Sequence, residues 1–161
     1  MDDDPGPGGR PRTTLDIRVS SAVGRLPLGQ RRVALVAHAV LEGERQGSAA
    51  LAITFIGTRE MARLHRRHLG VGGPTDIITF EHASHVRGAP LVADIYIAPA
   101  VARENAQRAG CRVREELARL TVHGVLHALG WTHPEGEGRT RSAMWRRQER
   151  WVARLRERGA W

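Results

Sequence analysis

The stretch Leu120–His133, LTVHGVLHALGWTH, limits what this chain can fold into more tightly than any other. Apolar spacing predicts a helix over Arg114–Leu129, so His123 and His127 lie four residues apart on it. That puts them about 40° apart around the axis, with both imidazoles on one side. Such a pair can hold one metal ion at about 2.0–2.1 Å. If the helix ran on, His133 would sit about 15 Å from His123 along the axis and face elsewhere. Gly130 removes that obstacle, because a residue free to take positive φ lets the helix stop and the chain fold back. Pro134 also disfavours helical continuation.

The spacing H-x3-H-x5-H, with glycine at the eighth position, is that of the zinc-protease pattern HExxHxxGxxH. The place of its glutamate is taken by Gly124. The metal cage His123, His127, His133 is therefore complete, while the peptidase base is absent. Three protein ligands imply a catalytic type of site with a position left open for water. Three neutral imidazoles suit zinc, nickel or copper. One zinc ion per chain is the expectation, with nickel or another divalent metal as alternatives.

Around this stretch the periodicities alternate. Strands are predicted at Leu15–Val19, Ala50–Gly57, Thr75–Phe80 and Leu91–Ile97. Helices are predicted at about 28–44, at 58–68 with Thr58 as cap, at 100–109, at 114–129 and at about 141–158. Glycine-rich loops fall at Leu69–Pro74 and around Gly88 and Pro90. The order β-α-β-α-β-β-α-α-α predicts an α/β (α+β) fold: a small single-domain sandwich, one mixed sheet covered by helices, with a zincin-like metal helix. Residues 1–13, rich in Pro, Gly and Asp, read as a disordered tail before a domain spanning 14–161. The single cysteine, Cys111, excludes a disulfide framework and points to a reducing, cytoplasmic setting. No apolar run approaches the roughly 20 residues of a membrane span, and the three aspartates after Met1 do not resemble a signal region.

All 25 cationic side chains are arginine, against 17 acidic ones, giving a net charge of +8. An excess of this sign suits a polyanion, because released counterions drive binding to a phosphate backbone. Eight of the arginines fall between Arg139 and Arg158. They read either as an RNA-facing patch or as a solvated helix face.

HGVLHALGWTH (His123–His133) resembles the signature HGxLHxxGxxH of the YbeY-type family of bacterial rRNA maturation endoribonucleases, at each defined position. PTDIITF (Pro74–Phe80) is similar to that family's PTDVLSF strand, and VADIYIAPAVARENA (Val92–Ala106) to its strand-then-helix segment. Met144 and Glu149 match the M-x4-E of its last helix. The resemblance covers roughly residues 50–155. There are departures: Thr132 stands for aspartate, Ala93 for glycine, and His68–Leu69 align with a Tyr-Arg pair before the TDVLSF strand. Leu69 thus stands where the family most often has arginine, and Arg66 or Arg67 one turn back are the candidates to replace it.

The resemblance implies metal-dependent, single-strand-specific cleavage of RNA in 16S rRNA maturation and ribosome biogenesis. The implied partners are rRNA, ribosomal subunits and possible ribosomal proteins. A planar guanidinium suits a phosphate, which gives Arg66 and Arg67 their role. Asp76 is the candidate to orient a metal-ligating imidazole, or else caps a turn. Glycine at 124 is expected to leave room above the metal for a nucleotide. His65, His68, His82 and His85 fit no metal template and read as surface residues. Two rival readings are a non-catalytic RNA-binding assembly factor with a structural metal and a zincin-like peptidase.

Overall fold

The computed structural model describes residues 14–161 apart from 71, 74 and 84–88. The predicted tail at 1–13, Pro74, His85 and the loop centre at Gly88 lie outside the described residues. Four strands form one mixed sheet in the order β1-β2-β4-β3: β1 (Thr14–Ser21), β2 (Ser48–Phe55), β3 (Ile77–Glu81) and β4 (Leu91–Ile97). The pairs β1–β2 and β2–β4 are parallel, and β3 runs antiparallel along β4. Five helices accompany them: α1 (Gln30–Gly43), α2 (Thr58–Leu69), α3 (Pro99–Ala109), α4 (Val113–Ala128) and α5 (Ala143–Glu157). A short 3-10 helix at Gly136–Arg141 precedes α5. The element order and the mixed sheet are those expected. The 3-10 helix was not, because its sequence GEGRTR carries no apolar period.

The alternation of β2 explains the layering. Its Ala49, Leu51, Ile53 and Phe55 are buried while the residues between them are half-covered. The buried face meets Val36 and Val40 of α1, Leu117, Val122, Val125 and Leu126 of α4, and Trp151 and Leu155 of α5. On the opposite face α2 packs Met61 and Leu64 on Ile78, Phe80 and Tyr96 near the β3 edge. Met144 is fully buried and belongs to the main core. Thr58 does not cap α2: Gly57 is the N-cap, and Thr58 is the first helical residue. Among the described residues no helix is long and apolar enough to cross a membrane.

α4 crosses the sheet beside β3 and β4 and is buried along nearly all of its length. That placement brings its C-terminal turns to the sheet margin where β3 begins, and there the histidines lie.

Candidate metal centre

α4 ends in a glycine-terminated cap. The Gly130 N–H donates to the His127 carbonyl at 2.8 Å and the Trp131 N–H to the Leu126 carbonyl at 3.0 Å. This is a Schellman pair, and it requires the left-handed conformation that Gly130 adopts at φ 86°. The chain turns back at once, and His133 meets the two helical histidines. The ring centroids of the three lie 4.6–5.1 Å apart. One ligand atom from each lies within 4.8 Å of the others.

The hydrogen bonds outside the triad decide what faces inward. His123 Nδ1 donates to Gln148 Oε1 at 2.7 Å, an orientation set by Gln148 Nε2 donating to Glu149 Oε1. His133 Nδ1 donates to the Pro134 carbonyl at 3.0 Å. A neutral imidazole carries one N–H, so both Nε2 atoms present lone pairs. They face each other at 3.4 Å, and His127 Nε2 lies 3.2 Å from His133 Nε2. Two ligands at about 2.05 Å on a tetrahedral ion are separated by about 3.3 Å, so the spacing fits such a donor set. Burial, with the neighbouring histidines and Arg139, pushes His123 down to about 3 despite the Gln148 bond. Burial also lowers His127, whose ring is further held by a backbone hydrogen bond at Trp131. Neutral imidazoles are the form that ligates metal.

The triad lies in a cavity of about 560 Å³. A second cavity of about 670 Å³ abuts it, and His123, Asp76 and Arg139 line both. Arg66 and Arg67 are exposed on the last turn of α2 and line neither cavity. The α2 residues on the triad cavity are His65 and Leu69. Asp76 makes no hydrogen bond to the triad. It accepts from Asn105 Nδ2 at 3.0 Å and Thr75 Oγ1 at 3.3 Å, tying α3 to the start of β3. The orienting role expected of it is filled at His123 by Gln148.

Gly124 corrects a second expectation. A Cβ there would lie 2.8 Å from Ile95 Cγ2 and 3.0 Å from Ile77 Cδ1. The glycine permits α4 to approach the sheet; it does not open space over the triad, and a glutamate side chain has no room there. His65 shares the triad cavity but bonds the Gly73 carbonyl, His68 packs on Phe80, and His82 meets Asp94. Cys111 is half-buried, within 3.9 Å of Arg119 Nη1.

Sequence reasoning missed the support behind the site. Arg119 is held by Glu149, Glu116 and Glu115 at 2.8–3.2 Å, and through Glu149 this cluster reaches Gln148 and His123. Glu149 was visible only as part of a motif, and Gln148 carried no signal apart from its place beside it.

Fold and site define a class: a small α+β domain whose buried central helix and following turn gather three histidines in a metal-binding arrangement. The comparisons with known proteins specify it further. The sequence profile of the family described as Endoribonuclease YbeY matches residues 27–156. This chain belongs to that family. A Bifidobacterium animalis subsp. lactis protein named Endoribonuclease YbeY is 36% identical over 125 residues, covering 74% of this chain and 62% of that protein. A Mycobacterium sp. (strain KMS) protein of the same name is 33% identical over 151 residues, covering 86% of this chain and 85% of that one. A Thermotoga maritima protein solved in solution shares the fold, with a TM-score of 0.58 at 22% identity over 89% of this chain and 94% of its own. The family match begins well before residue 50, so it takes in α1, which the motif resemblance left out.

Proposed function

We propose that this chain is a metal-dependent endoribonuclease that cuts single-stranded RNA and acts in 16S rRNA maturation in the cytoplasm. Its partners on this reading are rRNA, ribosomal subunits and ribosomal proteins. The observation that carries the reading is the convergence of three imidazoles, with His123 Nε2 and His127 Nε2 at 3.4 and 3.2 Å from His133 Nε2. Such a spacing suits three donors gathered on one cation. The names of the relatives supply the substrate class.

His123, His127 and His133 would hold the ion, which we assign as zinc, with nickel or another divalent metal able to replace it. When bound, it supplies Lewis acidity toward a phosphoryl oxygen and toward the attacking hydroxyl or water. The protein's share is positional. Gln148 and the Pro134 carbonyl fix the tautomers of His123 and His133, and burial keeps His123 and His127 uncharged. Asp76 braces the seam between the two cavities over which a strand would lie.

The test compares wild type with His127→Ala on rRNA precursors bearing single-stranded ends, with metal content measured for both. The variant should fold, lose its metal and cleave at least about a thousandfold more slowly. Undiminished processing by a folded, metal-free variant overturns the reading. Binding of RNA by both proteins with cleavage by neither favours the assembly-factor alternative. The product ends identify the nucleophile, since only attack by the RNA 2′-hydroxyl leaves a 2′,3′-cyclic phosphate first.

A further inference from the structure

The chain has 25 arginines, yet among the described residues Arg139 is the one guanidinium lining the triad cavity. The other charged residues there are carboxylates: Asp76, Glu81 and Glu135. Arg139 sits on the 3-10 helix between His133 and α5, and it also lines the larger adjoining cavity. Its Nε is buried without a hydrogen-bond partner, and no described carboxylate forms an ion pair with it. Its guanidinium lies over the Trp145 ring, 5.9 Å from the centroid. The contrast with Arg119 and Arg147 is plain, since both have their forks filled by glutamates.

Arg139 lines the same cavity as the three histidines that are arranged to gather a dication. None of the three carboxylates in the cavity pairs with it, so its fork is left open to an anion from outside the fold. Leu69 lines the same cavity, so the position where family resemblance expects an arginine and the position that has one belong to the same cleft. We propose that Arg139 is the residue that contacts the RNA phosphate backbone at this site, from the 3-10 helix in place of the α2 terminus. The proposal rests on the endoribonuclease reading for its substrate class. A guanidinium stacked on an indole keeps its fork oriented and matches two phosphate oxygens at once.

The experiment measures binding of a short single-stranded RNA across a salt series, in a His127→Ala background so that no turnover occurs. Cleavage is measured in parallel in the metal-loaded protein. Arg139→Ala should weaken binding about tenfold to hundredfold and reduce the slope of log K against log salt by about 0.7, one phosphate contact on a single strand. Arg139→Lys should keep the slope with intermediate affinity. Leu69→Arg should restore part of what Arg139→Ala loses. Zinc affinity of Arg139→Ala with its triad intact should hold or rise, because a neighbouring cation has gone; loss of a merely structural residue would lower it. Arg139→Gln, which keeps side-chain volume, covers the case in which alanine unfolds the 3-10 turn.

Unchanged affinity and slope in a folded Arg139→Ala or Arg139→Gln protein overturn the proposal, as does a larger loss from Arg66→Ala or Arg67→Ala. If the metal-loaded wild type binds RNA through Arg139 and cleaves none, the contact stands and the endoribonuclease reading fails. If wild type binds no RNA, both fail.

Discussion

The two ends of α4 bury polar side chains in opposite ways. Near its N-terminus, Glu115, Glu116 and Arg119, each with a side chain 16% exposed or less, satisfy one another with help from Glu149 and Arg156. Burial raises Glu116 while Arg119 pulls it back, and the carboxylates hold Arg119 firmly protonated against its own burial. At the C-terminal end burial keeps His123 and His127 neutral, and the three imidazoles turn toward one another. The first cluster is saturated and needs nothing from outside. The second turns its ring nitrogens together into a cavity, as a ligand site requires. Gln148 joins them, bonded to Glu149 on one side and His123 on the other.

Exchanging which cluster is damaged should separate activity from stability. His133→Ala should abolish cleavage, by about a thousandfold or more, while moving the melting temperature of metal-free protein little. Arg119→Ala should do the reverse. It strands buried carboxylates and should cost about 3–5 kcal/mol of unfolding free energy by denaturant titration, with cleavage per folded molecule retained. Equal loss of activity and stability in both variants would mean that the distinction between the two ends is wrong. Gln148→Leu tests the joint: metal affinity should fall about tenfold to hundredfold by competition titration, because His123 loses its orienting acceptor.

Much of the C-terminal end was legible in the sequence. The i,i+4 histidines, the helix-stopping Gly130 and the returning His133 are local features, and local features follow from spacing. The expected strands fell within a few residues of β1–β4 for the same reason: alternation in β2 and the apolar run in β4 mark their own faces. What could not be read comes from distant segments. Gln148 lies 25 residues from His123 and reaches it only because α5 packs along α4. Arg66 and Arg67 were placed by proximity to Leu69, yet the positions of α2 on the cavity are His65 and Leu69, four apart on one helical face. The net charge was likewise a global number. Arg147 is committed to Glu44 and Arg156 to Glu115, so part of the basic C-terminal helix is neutralised inside the fold.

Gly124 sharpens the comparison from the core side. Gly124→Ala should cost about 1–3 kcal/mol, because a Cβ there meets Ile95 and Ile77 and α4 must shift outward. A stability unchanged by that substitution would show that the close approach of helix and sheet is not what glycine serves.

A further expected effect lies away from α4, at Glu44. Burial works against its charge, but Arg147 Nε and Nη2 at 2.7 and 2.9 Å and the Trp151 indole outweigh it, so its carboxyl is held below the ordinary 4.5. A depressed carboxylate stabilises above its unfolded value. That contribution is therefore full above about pH 4.5 and lost as the pH falls through the lowered folded value. Glu44→Gln should remove about 2 kcal/mol at neutral pH and flatten this acid limb of the stability profile. A profile of unchanged shape would contradict the assignment.

The most direct test of the central claim is a single cleavage measurement. Wild-type protein is stripped of metal, shown to remain folded, and assayed on single-stranded RNA before and after one equivalent of zinc is returned. The account predicts no cleavage by the stripped protein and recovery that saturates near one ion per chain. Cleavage at full rate by protein shown to be metal-free would contradict it.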